Sequence, residues 1–392
     1  MTLNHRWTAL RSLFIVGLAA GTVAGCNEAE PAGPDVPTGT LVLIPNYRAE
    51  DISADGKTIL LTDPASATAD FYFYDIAAGT TTFKAAAGDA QFDFATGISN
   101  AGRVSAIHGK PENAGLWQQA GGWLDLGNIY PTGCEYDDVT HDENQSGGWD
   151  IDSAGHTAVG LVWNVCNAEA FLWTDAGGAG GFVALDLLGD SSLAALGPVS
   201  PPINRATVIS DDGLTAGGFA SESVNVGGND YWIDRRPALW TSNGAGSMIP
   251  SGGVYTDDCP GEVLAISGDG TRVAGVWCQK AFTYTAAGGV VDLSGDGFGY
   301  GQAVALNGQL VFGTNSAGFF DPPVPFVWTQ AGGVKSLLDI AAANDITIPA
   351  NYYWESVVAA SADGTVVVGS VYDEAFNRYV YVIKLPVSVY GL

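Results

Sequence analysis

The sequence predicts an all-β protein, a single β-propeller of seven four-stranded blades closed by an N-terminal strand. Three observations lead there: a glycine-containing hairpin turn recurs seven times, an aromatic third strand follows each hairpin, and apolar spacing at 3.6 residues is almost absent. The chain has 392 residues and 53 glycines, and its 11 Trp, 15 Tyr and 16 Phe can fill a sizeable core. Its net charge of -27 comes from 42 acidic and 15 basic residues, yet only 15% of residues are charged, too few for an acidic disordered chain. An acidic surface repels phosphate backbones, so no nucleic-acid partner is expected.

The hairpins read DISADGKTILL (51–61), GISNAGRVSAI (97–107), DIDSAGHTAVG (150–160), VISDDGLTAGG (208–218), AISGDGTRVAG (265–275), VALNGQLVFG (304–313) and AASADGTVVVG (359–369). Asp-Gly and Asn-Gly tolerate positive φ and so close tight turns. The turn glycines run from Gly56 to Gly364, on average about 51 residues apart. In five copies a second glycine lies five residues on, at Gly160, Gly218, Gly275, Gly313 and Gly369. The third elements are FYFY (71–74), LW (116–117), AFLW (170–173), PALW (237–240), AFTY (281–284), PFVW (325–328) and YVYV (379–382). Trp117, Trp173, Trp240 and Trp328 recur in register there and are expected in the core between blades. A glycine-rich turn and a short fourth strand follow, as in VVDL (290–293) and VKSLL (334–338). Four antiparallel strands repeated in this way are the pattern of a propeller blade.

The pattern A-x-x-I-S-x-D-G-x-x-V-x-G followed by A-F-x-W-T-x-x-G-G resembles the HAF repeat of bacterial extracellular proteins. Blade one, ISADGKTILL…DFYFYDIAAGTT, also resembles the repeats of Tol-associated periplasmic propellers. The HAF resemblance implies secretion and repetition and carries no established chemistry. Copy six has a shortened turn and copy one lacks the second glycine.

Residues 1–25 read as a signal peptide, with His5, Arg6 and Arg11 ahead of the apolar stretch from Leu13 to Ala20. Val23-Ala24-Gly25-Cys26 resembles the bacterial lipobox, which implies cleavage before Cys26 and a lipid on its sulfur. Three acyl chains would hold the protein on a membrane, and Asn27 in place of Asp favours the outer one. Residues 26–39 form the acylated Cys and a flexible tether, and 40–392 the propeller. The expected location is the bacterial cell envelope, lipid-anchored, periplasmic or surface-exposed, and the expected state a monomer.

The last copy lacks a fourth strand, and GTLVLI (39–44) supplies a spare one, so 40–45 is expected to pair with 379–385 and close the ring. The short turns after strands one and three share one face. The longer, variable connections, among them 133–148, 188–206, 219–236 and 314–323, share the other, where binding loops belong. The tether enters on the tight-turn side, so the variable face is expected to point away from the membrane. Beyond Cys26, Cys134, Cys166, Cys259 and Cys278 make an even set in an exported chain, read as disulfides Cys134–Cys166 and Cys259–Cys278.

Catalytic signatures are missing: the sequence has no G-x-S-x-G, H-E-x-x-H or P-loop. His156 follows a hairpin glycine and reads as a solvated turn residue. No catalytic residue and no cofactor is assigned. Calcium is the one cation considered, on oxygens of EYDDVTHDEN (135–144); Asp150 and Asp152 begin like a calcium loop, but Ala154 replaces a ligand. The candidate binding face comprises Asp137, Asp138, Tyr231, Trp232, Asp257, Asp258, Phe319, Phe320, Asp321, Tyr352, Tyr353 and Trp354, aromatics beside carboxylates in predicted loops. The expected function is non-catalytic binding of an unknown protein or polysaccharide through that face. The alternative is a secreted glycan hydrolase or lyase using loop carboxylates in the central funnel.

Overall fold

The computed structural model describes residues 39–89, 93–109, 111–130, 145–165, 167–189 without 177 and 179, 202–255 without 227 and 228, 259–318 and 320–392; over 222–234 only the backbone is described. Seven antiparallel sheets of four strands follow one another along the chain. The first strand of each faces the axis: Arg48–Ile52, Phe94–Ile98, Ser146–Ile151, Ile203–Ile209, Gly261–Ile266, Phe298–Ala305 and Tyr352–Ala360 together line one central channel. The outermost strand of blade 7 is Thr40–Pro45, paired with Arg378–Lys384 from Thr40↔Lys384 to Pro45↔Tyr379. The ring is thus closed by the strand the sequence leaves spare. Thr40 lies at the tight-turn end of that pair, because Lys384 ends the third strand.

Each sheet is apolar on both faces, so it must be covered on both sides, and the second strands accordingly read as nearly unbroken buried runs (TAVGLVWN, VVVGSVYD). The buried side chains form seven clusters, one between each pair of neighbouring blades. Tyr74, Trp117, Trp173, Trp240, Tyr284 and Trp328 occupy one register position of the third strand, opposite Ile59, Val104, Ala158, Ala216, Val273 and Val311. Trp117, Trp173, Trp240 and Trp328 each pack into the cluster shared with the preceding blade. Trp240 is fully buried, a burial that contributes on the order of 2–3 kcal/mol.

The hairpin turn is built by its serine as much as by its glycine. Ser361 Oγ donates to Asp363 Oδ1 (2.6 Å) and accepts from the Val366 N–H (3.0 Å), while the Gly364 N–H reaches the Ser361 carbonyl (2.8 Å). Ser53, Ser210 and Ser267 repeat this arrangement with Asp55, Asp212 and Asp269. Adjacent turns then hold one another around the ring, as in Asn100 N–H to Ser153 O (3.0 Å), Asp212 N–H to Gly268 O (3.2 Å) and Ala362 N–H to Ala54 O (2.9 Å).

The second glycine answers a bulge in the inner strand. Every inner strand skips one residue against its partner: Glu50, Thr96, Trp149, Thr207, Leu264, Gln302 and Val358. A Cβ at Gly160, Gly218, Gly275, Gly313 or Gly369 would stand 1.9–2.1 Å from an inner-strand carbonyl beside that bulge. The bulge turns the skipped residue into the channel, and all seven line it.

Three segments depart from the sequence reading. Strand VKSLL stops at Ser336, whose side chain accepts from the Asp339 N–H and caps a helix over Leu337–Ala343. Segment 219–236, read as a loop, is an extension of the blade-4 hairpin, with strands Thr215–Val226 and Asn229–Thr241; β-branched Val224, Val226 and Ile233 and aromatic Tyr231 and Trp232 favour strand there. Tyr352, Tyr353 and Trp354 are likewise in a strand, the start of the blade-7 inner strand.

Candidate functional site

Cys259 and Cys278 form a disulfide on the variable face, joining the segment before the blade-5 inner strand to the turn after its second strand. That turn is two residues long, with Cys278 and Gln279 both at positive φ. Cys26, Cys134, Cys166, Asp137, Asp138, Asp257, Asp258 and Phe319 lie outside the described residues, as does 135–144. Tyr231 and Trp232 sit on the extended blade-4 strand opposite Val224 and Ser223.

The remaining aromatics separate by burial. Trp354 is 7% exposed and packs on Tyr381 (4.9 Å between centroids), so it is core and not binding surface. Tyr352 stacks edge-on against Tyr379, whereas Tyr353 is exposed and lies parallel to Phe376 at 6.3 Å. Phe320 is 95% exposed, next to Asp321 in the blade-6 variable loop. Among the described residues, exposed Ile129, Val165, Leu187, Val254, Tyr300, Phe320, Tyr353 and Phe376 all belong to variable-face connections or adjoining strand ends. The tight-turn side contributes Leu214 and Leu392, and Val42, Phe83, Leu124, Val291 and Val334 are exposed on the outermost strands.

Three adjoining cavities lie between this face and the axis. A groove of about 410 Å³ beside blade 6 is lined by Tyr300, Gln302, Asp321, Glu355 and Ser356 among others. A mouth cavity of about 530 Å³ shares Gln302, Glu355 and Ser356 with the groove and adds Arg48, Glu50 and Arg378. The axial channel, about 320 Å³, shares Arg48, Glu50, Leu264, Gln302 and Val358 with the mouth. Together they make one depression running from the rim of blade 6 to the centre. A second bulge, between Trp354 and Ser356, turns Glu355 into it.

The mouth's charges are paired. Arg378 reaches both Glu355 oxygens at 3.2–3.3 Å and donates to the Tyr372 hydroxyl, Arg48 meets Glu50 at 3.3 Å, and Thr62 Oγ1 donates to Glu50. Burial raises the Glu50 carboxyl above its ordinary range, opposed by Arg48 and Thr62. Further round, buried Glu262 holds both Arg205 (2.7 Å) and Arg235, whose guanidiniums stack on Phe219, with Arg205 also over Trp149.

Inside the channel the structure brings together two carboxylates that loop-based reasoning missed. Asp51 accepts from the N–H of Ile52 (2.7 Å) and of Ile98 in blade 2 (2.8 Å). Asp150 accepts from the N–H of Ile151 (2.8 Å) and of Ile209 in blade 4 (2.8 Å). Each therefore clamps its blade to the next. Gly97 sits between them at the same register position, where a Cβ would stand 2.6 Å from Asp150 Oδ1. Desolvation pushes Asp51 up to about 7 against the pull of its two amide donors, with smaller upward contributions from Asp211 and Glu50. Desolvation and then Asp51 push Asp150 upward too. The signal was the first letter of each repeat: Asp51 and Asp150 stand where other copies carry Gly97, Val208, Ala265 or Ala359. Among the described residues no group of three or more His, Cys, Asp or Glu is placed to hold a metal ion. His156 is an exposed turn residue whose Nδ1 meets Asp175 at 2.7 Å.

No protein-family model matches the sequence, and no curated protein matches it. Among solved structures, the chain is similar to the β-propeller domain of the trilobed protease from Pyrococcus furiosus (10% identity, 86% of this chain and 95% of that one, TM-score 0.49). It is also similar to oligogalacturonate lyase from Vibrio parahaemolyticus (12%, 89% and 92%, 0.48) and to TolB from Acinetobacter baumannii (12%, 85% and 65%, 0.39). Scores at this level leave the fold to be read from the chain's own seven sheets, and no function is carried over.

Proposed function

We propose that the protein is a lipid-anchored envelope propeller, attached through Cys26, that binds a polymer or a protein non-catalytically on its variable face. The observation that carries the reading is the meeting, on the variable face, of exposed Tyr300, Phe320, Tyr353 and Phe376 with the continuous depression from blade 6 to the axis. The opposite face has short turns tied to one another by hydrogen bonds, a rigid base suited to the membrane side, where the strand from the tether begins. No helix among the described residues is long and apolar enough to cross a membrane. The two channel carboxylates lend the hydrolase or lyase alternative no support, because Asp51 and Asp150 each accept backbone amides on both oxygens. The test has two parts. Cys26→Ser should move the protein from the membrane to the soluble fraction. Binding to a panel of glycans and purified envelope proteins should fall on Tyr300→Ala and stay unchanged on Lys57→Ala in a tight turn. Loss on the tight-turn variant alone would overturn the face assignment.

A further inference from the structure

We infer that the depression on blades 6, 7 and 1 is a subsite cleft for a neutral oligosaccharide chain; this rests on the variable-face binding reading and names its ligand. Tyr300, 48% exposed at the groove, offers a ring against which the C–H face of a pyranose can pack. Around it stand hydroxyl-matching groups: the Asp321 and Glu355 carboxylates as acceptors, the Gln302 amide and the Ser356 hydroxyl. Gln302 is held in place by Thr314 Oγ1, which donates to its Oε1 (2.9 Å) and accepts from the Val357 N–H (2.9 Å). A carboxylate accepting from a sugar hydroxyl makes a charge-assisted bond, stronger than a neutral one.

The length of the depression favours a chain over a single small molecule, since groove and mouth share Gln302, Glu355 and Ser356 and the mouth opens into the channel. Its charge selects against an anionic chain. Arg48 and Arg378 are each engaged by a glutamate, and the protein as a whole carries -27. Amide, hydroxyl and carboxylate groups stand along a groove wall that is otherwise largely apolar, a mixed lining that suits both the C–H face and the hydroxyls of a sugar ring.

The test is isothermal titration calorimetry on the full chain with cellohexaose, chitohexaose and mannohexaose, and with hexagalacturonate as the charged counterpart. At least one neutral hexasaccharide should bind, hexagalacturonate at least tenfold more weakly. Tyr300→Ala should weaken the neutral sugar about tenfold, and Glu355→Gln, which keeps the shape, should weaken it several-fold. Lys57→Ala should leave it unchanged. Equal or tighter binding of hexagalacturonate, or native affinity in both cleft variants, overturns the neutral-sugar assignment. So does failure of all three neutral probes while an envelope protein binds through Tyr300, an outcome that leaves the variable-face reading standing. Sugar binding lost on Lys57→Ala and kept on the cleft variants overturns both.

Discussion

The two channel aspartates give the propeller an unusual response to pH. Asp51 is pushed from an ordinary 3.8 to about 7, principally because the channel wall strips water from it. A folded-state value above the unfolded one means that folding favours the protonated form. The stabilisation is therefore complete below about 3.8 and is lost as pH rises through about 7. The gap is worth up to ~4 kcal/mol at ~1.4 kcal/mol per pH unit, of which the part between pH 5 and about 7 is on the order of 2 kcal/mol. Asp150 shifts the same way, through desolvation and then the neighbouring Asp51 charge. Urea unfolding of the native chain should accordingly lose about 2 kcal/mol between pH 5 and pH 8, a larger loss than diffuse carboxylate repulsion gives. Asp51→Asn removes the titrating charge but leaves one backbone N–H without its acceptor, a pH-independent cost of about 1–3 kcal/mol. The variant should thus be less stable at pH 5, with a flatter profile that approaches the native one by pH 8. A variant whose profile runs parallel to the native curve would refute the reasoning.

Other perturbations follow from particular contacts. Gly218→Ala places a Cβ 1.9 Å from the Arg205 carbonyl, so the inner strand must shift, at about 1–3 kcal/mol or more, read as a fall in the urea midpoint. Glu262→Ala leaves Arg205 and Arg235 without their shared acceptor; because both arginines keep solvent contact, a loss of about 1–3 kcal/mol is expected by the same assay. Deleting Thr40–Pro45 uncovers the outer edge of Arg378–Lys384 and removes buried Ile44. Thermal unfolding should then begin at lower temperature, and a Tm unchanged within error would contradict closure by that strand.

The fold was legible in the sequence because a propeller repeats its local rules. Seven turns and seven third-strand aromatics give a register that no single copy could, and the missing fourth strand points to Thr40–Pro45. What the repeat hides is whatever one blade does alone. The helix at Leu337–Ala343 spans barely two turns, too short for an apolar period to emerge. The blade-4 extension carries Gly227 and Gly228 in a stretch rich in Ser, Asn, Asp and Glu and so reads as loop, although its backbone pairs through Val226↔Asn229. Trp354 sits beside two tyrosines that look alike in sequence, and only the paired bulges in its strand decide that it turns inward while Glu355 turns outward. Asp51 and Asp150 were visible as letters in the repeat. Their meaning needed the bulge, which sets the preceding residue in the channel and aims each carboxylate at the next blade.

Hydrogen exchange of the full chain, with and without the tightest binder from the glycan and envelope-protein panel, tests most directly which face works. Protection confined to 298–302, 316–323 and 355–356 is the predicted result. Protection of the tight turns at 53–57, 210–214 and 361–365, with the blade-6 cleft exchanging as before, would contradict the account.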